Sequence, residues 1–260
     1  MRALWSGALS FGLINIPIRL YSATRDHGLS FDMLHKKDLS PIRYARICKA
    51  DGKEIPYQDI VKGYQYQKGD YVILVDEDFK RASVKKTKSI EILDFVPENE
   101  IDPIYYEKPY YLEPIEGSEK AYVLLRESLK KSKKVGIARF VFHTREHIGV
   151  LKPHEHLIML NQLRYNSEIK SANELHIPEV TKASAQEVAM ALKLIEHLSS
   201  HFHPENYHDT YTEDLKKVIE EKAKGKKTHR QKGKEPKVTD VKDIMHLLKE
   251  SLETHHRKSA

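Results

Sequence analysis

The sequence has a single cysteine, a single tryptophan and no long apolar run, and each scarcity narrows what the protein can be. The lone Cys48 rules out an internal disulfide framework and a zinc site built from cysteines. The longest apolar run, 71–75, is far shorter than the ~18 residues that cross a bilayer. The N-terminus lacks an apolar segment followed by a small-residue cleavage site, so no signal peptide is predicted. We therefore expect a soluble, cytoplasmic protein with no membrane partner.

Basic residues are concentrated near the C-terminus. Residues 222–237 contain eight Lys or Arg and one Glu, a net charge of +7, whereas the whole chain carries +6. The remainder is thus nearly neutral, and a near-neutral body with a basic segment favours a polyanionic partner, nucleic acid before membrane. A solvated linker is the alternative that charge leaves open. With almost no apolar residues, the segment is predicted to be disordered when free.

Alternating apolar residues predict β-strands over much of the first 163 positions. The alternation through Leu9 and Phe11 shifts phase at Ile14 and continues to Leu20, which predicts a bulge or a bend. Further strands are predicted over 71–75, 90–96, 104–112, 135–142, 147–151 and 156–163. Short strands with one inserted helix are typical of a decorated barrel, not of a doubly wound sheet.

The inserted helix is predicted over 118–131, with Ser118 as its cap. Tyr122, Leu125 and Leu129 form its apolar stripe. A cluster of lysines lies at its end: Lys130, Lys131, Lys133 and Lys134. Cations at this end stabilise the helix dipole, and a ligand-facing role is the alternative.

The C-terminal third is predicted to be helical. Ser184 and Glu187 form a capping box for a helix that ends before Pro204, and Thr212 is the predicted cap of a shorter helix ending near Gly225. After the basic segment comes an amphipathic helix whose apolar face carries Val241, Ile244, Met245, Leu248 and Leu252. Docking to a partner and packing on its own domain are both open for this stripe.

The sequence His143-Thr-Arg-Glu-His147 matches a zinc peptidase pattern that requires a helix, where residues four apart share a face. Both flanks here are predicted strands, so we expect a turn. His154 and His156 share a strand face without an apparent third ligand. No metal site and no cofactor are predicted.

Residues 25–62 are too long for an ordinary loop in a compact domain, and loops of this length are usually functional. The segment carries Arg25, Lys36, Lys37, Arg43, Arg46, Lys49, Lys53 and Lys62, with six acidic residues among them. Basic side chains spread along an arm suit contacts to phosphates without base reading, and a charge-balanced solvated excursion is equally compatible.

Four separated stretches resemble the bacterial Ku proteins: 4–21 (LWSGALSFGLINIPIRLY), 47–56 (ICKADGKEIP), 60–64 (IVKGY) and 108–114 (KPYYLEP). The likeness runs from about residue 1 to 200 and returns at 244–252 (IMHLLKESL). Several long matches in order are more specific than one short motif. Some family members carry cysteine pairs in the arm, whereas this chain has only Cys48, which argues against a zinc ribbon.

The resemblance implies a mainly β fold: a Ku-type β-barrel with an inserted helix and a long bridging arm, then a helical region and a basic tail. We expect the core at 1–175 with its arm at about 24–62, the helical region at 176–221 and the tail with its terminal helix at 222–260. It also implies a homodimeric ring that threads onto double-stranded DNA ends in non-homologous end joining, near the nucleoid. Through its C-terminal part such a ring recruits the ATP-dependent DNA ligase D.

Site residues follow from this hypothesis of a DNA-binding protein without catalytic activity. Phosphate contacts are assigned to Arg25, Lys36, Lys37, Arg43 and Arg46 of the arm, to Arg145, where the resemblance places a DNA-facing base, and to Lys224, Lys226, Lys227, Arg230, Lys232 and Lys234 of the tail. Partner docking is assigned to Ile244, Met245, Leu248 and Leu252.

Two competing hypotheses remain. The protein could be an end-independent architectural DNA-binding protein that relies on its tail, or a metallohydrolase that uses His143, Glu146 and His147.

Overall fold

The computed structural model describes residues 1–25, 28–82, 88–142, 145–176, 184–225 and 246–251, and the chain divides into two compact units, Met1–Ala172 and Asn173–Ala260. The first unit contains β1 (Trp5–Phe11), β2 (Ile14–Ser22), β3 (Lys62–Gln67), β4 (Asp70–Leu74), α1 (Asp76–Ala82), β5 (Ser89–Pro97), β6 (Tyr106–Pro114), α2 (Glu119–Ser132), β7 (Lys134–Phe142), β8 (Arg145–His154) and β9 (Leu157–Leu163). The second contains α3 (Ala185–Leu198) and α4 (Thr210–Ala223), and residues 246–251 are helical. None of the helices in these ranges is long and apolar enough to cross a membrane.

Seven strands close into a barrel in the order β1-β2-β6-β9-β8-β7-β5, which confirms the predicted β-barrel. Every pairing is antiparallel except the one that closes the barrel, where β1 and β5 run parallel. Gly7 permits this closure, because a Cβ there would lie 2.2 Å from the Lys88 carbonyl oxygen, and that oxygen accepts a 2.8 Å hydrogen bond from the Ala8 N–H.

The barrel core is built from the alternating positions of its strands. In β2, Ile16, Ile18 and Leu20 are almost completely buried, and the residues between them are exposed. Tyr122, Leu125 and Leu129 of α2 belong to the same core cluster, so the predicted apolar stripe of the inserted helix is confirmed. Full burial of each such side chain contributes about 1.5–3 kcal/mol, which makes α2 an integral part of the barrel.

The Tyr122 hydroxyl joins α2 to the end of the β6–β9 ladder. It donates a 2.6 Å hydrogen bond to the Leu112 carbonyl and accepts one of 2.6 Å from the Ile158 N–H. Leu112 and Ile158 are paired at the last position of that ladder. The tyrosine therefore bridges two paired backbone groups at this end of the ladder, and burial raises the pKa of its hydroxyl.

Two strand predictions change in the structure. The phase shift near Ile14 marks neither a bulge nor a bend within one strand, because Gly12 and Leu13 form a turn between β1 and β2, with Gly12 at φ 59°. The strand predicted over 71–75 forms as β4, but it pairs with β3 in a separate two-stranded sheet outside the barrel.

Two helix caps also differ from prediction. Ser118 occupies the N-cap position of α2, yet its hydroxyl donates to the carbonyls of Pro17 and Ile115 instead of accepting from the helix. The shorter C-terminal helix begins earlier than predicted, and Asp209 caps it by accepting a 3.0 Å hydrogen bond from the Thr212 N–H.

The second unit exposes its apolar side chains. The predicted capping box of α3 is confirmed, since Ser184 and Glu187 each accept the other's backbone N–H, and the helix ends at Leu198. Its stripe residues Val188, Leu192 and Ile195 are nevertheless 46–61% exposed. Among the described residues of α3 and α4, none is buried.

We predict that Tyr122→Phe lowers the free energy of unfolding by about 2 kcal/mol, because it leaves a buried N–H and a buried carbonyl without their shared partner. Urea denaturation monitored by circular dichroism measures the change. Tyr111→Phe is the matched control on β6 and is expected to shift stability by less than about 0.5 kcal/mol. Equal stability of the two variants would contradict the bridging role of Tyr122.

Candidate nucleic-acid interface

A long segment between two barrel strands carries five of the twelve predicted phosphate contacts. We call residues 23–88, which lie between β2 and β5, the excursion; they include the β3–β4 sheet and α1. The excursion is longer than the arm expected at 24–62, because the sheet belongs to it. From residue 30 to 47 it has no regular element beyond isolated bridges, and all its side chains there are at least partly exposed.

The first half of the excursion is shaped by a tight turn that presents two lysines. A bridge between Leu34 and Pro41 closes the turn, and Lys36 and Lys37 lie at its tip. Asp38 holds the turn: its carboxylate accepts from the Ser40 N–H and contacts the His35 ring at 2.8 Å. Both hydrogen bonds lower the pKa of the Asp38 carboxyl, and the bond from the Ser40 N–H has the larger effect.

A second turn follows at Ile47–Glu54 and is built in the same way. Asp51 accepts a 3.2 Å hydrogen bond from the Lys53 N–H, and this bond, followed by one from Cys48, lowers the pKa of the Asp51 carboxyl. Gly52 occupies the left-handed region at φ 72°. Local hydrogen bonds thus define the conformation of the two turns, although no buried core supports them.

The predicted arginines differ in their surroundings. Arg43 is exposed between the two turns, and the Arg46 guanidinium lies over the Tyr57 ring at 5.0 Å from its centre. Arg25 is exposed near the start of the excursion. Arg145 is the exposed first residue of β8 and pairs with Phe142, the last residue of β7. The structure therefore groups the arm residues on one segment and places Arg145 on the barrel.

Several cations on the barrel surface are engaged with carboxylates. Arg139 lies 3.0 Å from Glu91 and 3.9 Å from Glu146, and its hydrogen bond to Glu91 raises the pKa of the guanidinium. Lys152 pairs with Glu98 at 2.6 Å. In contrast, no ion pair with a described carboxylate is formed by Arg46, by Lys224 or by four further predicted contact residues: Lys36, Lys37, Arg43 and Arg145. Binding a phosphate at these four positions breaks no existing ion pair.

Sequence reasoning missed the apolar character of the excursion. Both faces of the β3–β4 sheet are exposed, and Tyr64, Tyr71 and Ile73 each show 60% or more of their surface. The sequence signal was the alternating Tyr64-Gln-Tyr66 before a Gly69 turn, followed by Tyr71. Large exposed side chains continue through the rest of the excursion: Phe31, Met33, Leu34, Leu39, Ile42, Tyr44, Ile47, Tyr57, Ile60, Val61, Tyr66, Val72, Val75 and Phe79.

The tail predictions lie largely outside the described residues. Lys224 follows α4 as its C-cap, and Leu248 lies in the helical residues 246–251, where it is partly buried. The remaining tail and docking positions fall outside: Lys226, Lys227, Arg230, Lys232, Lys234, Ile244, Met245 and Leu252.

The zinc peptidase pattern begins outside the described residues, at His143, and continues into β8. Glu146 and His147 are neighbours in that strand, so they point to opposite faces of the sheet rather than to one helix face. His154, at the end of the same strand, stacks on Tyr111. Within the described ranges no three His, Cys, Asp or Glu side chains come together as a metal ligand set.

Comparison with known proteins finds one family model and several named proteins that match the barrel and the excursion. The family model for the Ku70/Ku80 beta-barrel domain matches residues 10–190. A protein of Opitutus terrae named "Non-homologous end joining protein Ku" is 44% identical over 97% of this chain and 91% of its own length. Proteins of the same name from Coxiella burnetii and Archaeoglobus fulgidus are each 39% identical over 97% of this chain, and over 94% and 99% of their own.

Among solved structures, the SPOC domain of human PHD-finger protein 3 aligns with 62% of this chain and 95% of its own at 11% identity, with a TM-score of 0.29, and supports no inference. The family model spans the barrel from the end of β1 onward, the excursion and the beginning of α3, and the relatives extend over nearly the whole chain. The chain is a member of the Ku family.

Proposed function

We propose that this protein acts in non-homologous end joining as a homodimeric ring that threads onto double-stranded DNA ends without reading their sequence. The names of the curated relatives support the pathway. The observation within the chain that carries the proposal is the excursion, which is basic, rich in exposed apolar side chains and not covered by the barrel. In this role the dimer protects ends, recruits DNA ligase D and catalyses no reaction itself, in the cytoplasm at the nucleoid.

The exposed apolar surface of the excursion supports a dimer. A two-stranded sheet with both faces in water is marginally stable by itself, so β3 and β4 need a partner surface. Many large apolar side chains exposed along one segment are typical of an interaction site. A second copy is the partner that we infer, because a two-fold axis brings the same segment of both copies together and lets each cover the other.

The charge distribution supports contacts to the DNA backbone. Lys36 and Lys37 project from a turn, and Arg43 follows on the same segment, all without ion-pair partners among the described residues. Contacts of this kind position a protein on a duplex but do not distinguish sequences. With Arg145 on the barrel, the proposed interface combines excursion and barrel residues.

Selectivity for ends then comes from topology. A closed ring reaches the duplex only at a free terminus, so it needs modest phosphate contacts rather than base-edge hydrogen bonds. Each neutralised phosphate makes the logarithm of affinity fall by about 0.9 per log unit of salt. The basic tail, with Lys224, Lys226, Lys227, Arg230, Lys232 and Lys234, adds a nonspecific attraction with the same salt dependence.

The ring model predicts that linear duplex and covalently closed circular duplex bind differently. As salt rises, binding to circles should disappear first, because only the linear form allows threading. Blocking both ends with streptavidin after loading should retain the protein through a high-salt wash. Gel shift at several salt concentrations measures both effects, and equal affinity for circles and linear DNA at every salt would contradict the ring.

Deleting residues 222–260 provides the control for the architectural alternative. A ring keeps its preference for ends without the tail, although its affinity falls. A tail-driven, end-independent protein would lose nearly all binding in the same variant.

The dimer contact is tested at the β3–β4 sheet. Ile73→Asp replaces an apolar side chain with a charged one. Because Ile73 is 60% exposed in one copy, a change in dimer affinity would arise from the proposed interface. We expect the dimer Kd to rise about 100-fold, a cost of about 2.7 kcal/mol. Analytical ultracentrifugation measures the Kd. Leu13→Asp, at the fully exposed turn between β1 and β2, is the control and should leave it unchanged; equal Kd values for both variants and the wild type would exclude this interface.

Ligase recruitment is proposed for the terminal amphipathic helix. Leu247 is 40% exposed and Leu248 is partly buried within the helical residues 246–251, and Ile244, Met245 and Leu252 complete the stripe in the sequence. We expect Leu248→Asp to weaken DNA ligase D binding at least tenfold in pull-down and to leave DNA-end binding intact. Lys249→Asp, on the exposed side of the same helix, is the matched control. Undiminished ligase binding by Leu248→Asp would exclude this helix as the docking element.

A further inference from the structure

A second group of basic residues lies on the barrel. In sequence it is separate from both the excursion and the tail. Lys130 and Lys131 are in the last turn of α2, Lys133 is its C-cap and Lys134 is the first residue of β7. All four side chains are exposed, and none makes an ion pair with a carboxylate of the described ranges. The nearest acid in sequence, Glu127, is already paired with Arg126 at 2.8 Å. We call these four residues the lysine cap.

The lysine cap is flanked on both sides by residues that are buried in the barrel. On its N-terminal side Leu125 and Leu129 are 1% exposed in the barrel core, and on its C-terminal side Val135 is 2% exposed. The Ser132 hydroxyl donates a 3.2 Å hydrogen bond to the Leu129 carbonyl within the last turn of the helix. The backbone of the four lysines is therefore fixed from both ends, which reduces the entropy that a ligand must remove on binding.

The helix dipole favours cations at this end of α2, but it does not require a lysine in the C-cap conformation that Lys133 adopts. Lys133 has φ 54° and ψ 29°, the left-handed conformation that glycine or asparagine adopts at lower cost. Among the other described residues with positive φ, two are Leu39 and Glu155, and five are glycines: Gly12, Gly52, Gly69, Gly117 and Gly225. A lysine at this position is compatible with a role for its side chain that offsets the backbone strain.

We propose that the lysine cap binds the phosphate backbone of duplex DNA and forms a contact site of the barrel in addition to the excursion. Residues 130–134 contain no apolar side chain, whereas a protein interface has an apolar core and is depleted in lysine. Unpaired ammonium groups on a fixed support are suited to phosphates as point charges. The inference rests on the proposed function, since it adds a site for the same ligand.

Substitution of Lys133 separates charge from backbone strain. Lys133→Gly and Lys133→Asn both remove the charge and both suit the left-handed conformation. We expect Lys133→Gly to raise the Tm by about 2–4 °C while weakening duplex binding about fivefold to tenfold at 0.1 M salt. The salt slope of log K should fall by about 0.9 for the one phosphate lost. A purely structural lysine would change the Tm without changing affinity or slope.

A combined variant strengthens the test. Lys130→Gln, Lys131→Gln, Lys133→Asn and Lys134→Gln together should lower the salt slope by about two to four units. The control removes the same charge elsewhere, with Lys120→Gln, Lys170→Gln, Lys193→Gln and Lys216→Gln, and should lower it by less than one unit. Fluorescence anisotropy with a labelled linear duplex measures affinity and slope, and circular dichroism confirms folding.

Each outcome separates this site from the ring itself. If the wild type prefers ends and the combined variant keeps that preference with reduced affinity, both proposals stand. If the combined variant matches the control in affinity and slope while preferring ends, the lysine cap is not a DNA site, and an acidic protein partner would become the explanation. A wild type that shows no preference for ends would overturn the ring, and a reduced slope in the combined variant would still support the lysine cap.

Discussion

The architecture of the first unit depends on the closure of its sheet through the parallel pairing of β1 and β5. Gly7 makes this pairing possible, because any side chain there would collide with the Lys88 carbonyl. Once closed, the barrel has no free edge to which another strand can add. The β3–β4 sheet, which leaves and re-enters between β2 and β5, cannot join the barrel and must obtain its stability elsewhere.

This constraint links the fold to the proposed assembly. Within one copy, the excursion is held by two turns in which Asp38 and Asp51 accept backbone hydrogen bonds, and by the Arg46–Tyr57 and Lys62–Phe79 contacts. These are local interactions, and they leave the large apolar side chains of the segment in water. A second copy that covers them would stabilise the excursion and position its lysines at the same time, so dimerisation and DNA contact would be coupled through one segment.

The sequence predicted those features of the fold that arise from periodicity. Alternation in β2 and the stripe of Tyr122, Leu125 and Leu129 fall on the buried positions, because burial against one core imposes those periods. The role of Ser118 could not be predicted, since its hydroxyl donates to the carbonyls of Ile115 and Pro17, and Pro17 is distant in sequence. The β3 strand was missed because its alternation is short, covering only Tyr64-Gln-Tyr66, and because neither face of the strand is buried against a core.

The candidate interface was less predictable than the fold, because composition identifies basic residues but not their pairing state. Arg139 and Lys36 look alike in sequence, yet Arg139 is held between two carboxylates and Lys36 stands unpaired at the tip of a turn. A paired cation must exchange one carboxylate for a phosphate, whereas an unpaired cation gains the full counterion release of the DNA. Among the described residues, unpaired cations include those of the excursion, Arg145 and the lysine cap, so they are dispersed rather than gathered into one strongly positive patch. Dispersed, individually weak contacts suit a ring that must stay on a duplex without binding every duplex surface tightly, and they leave the selection of DNA ends to the closure of the ring.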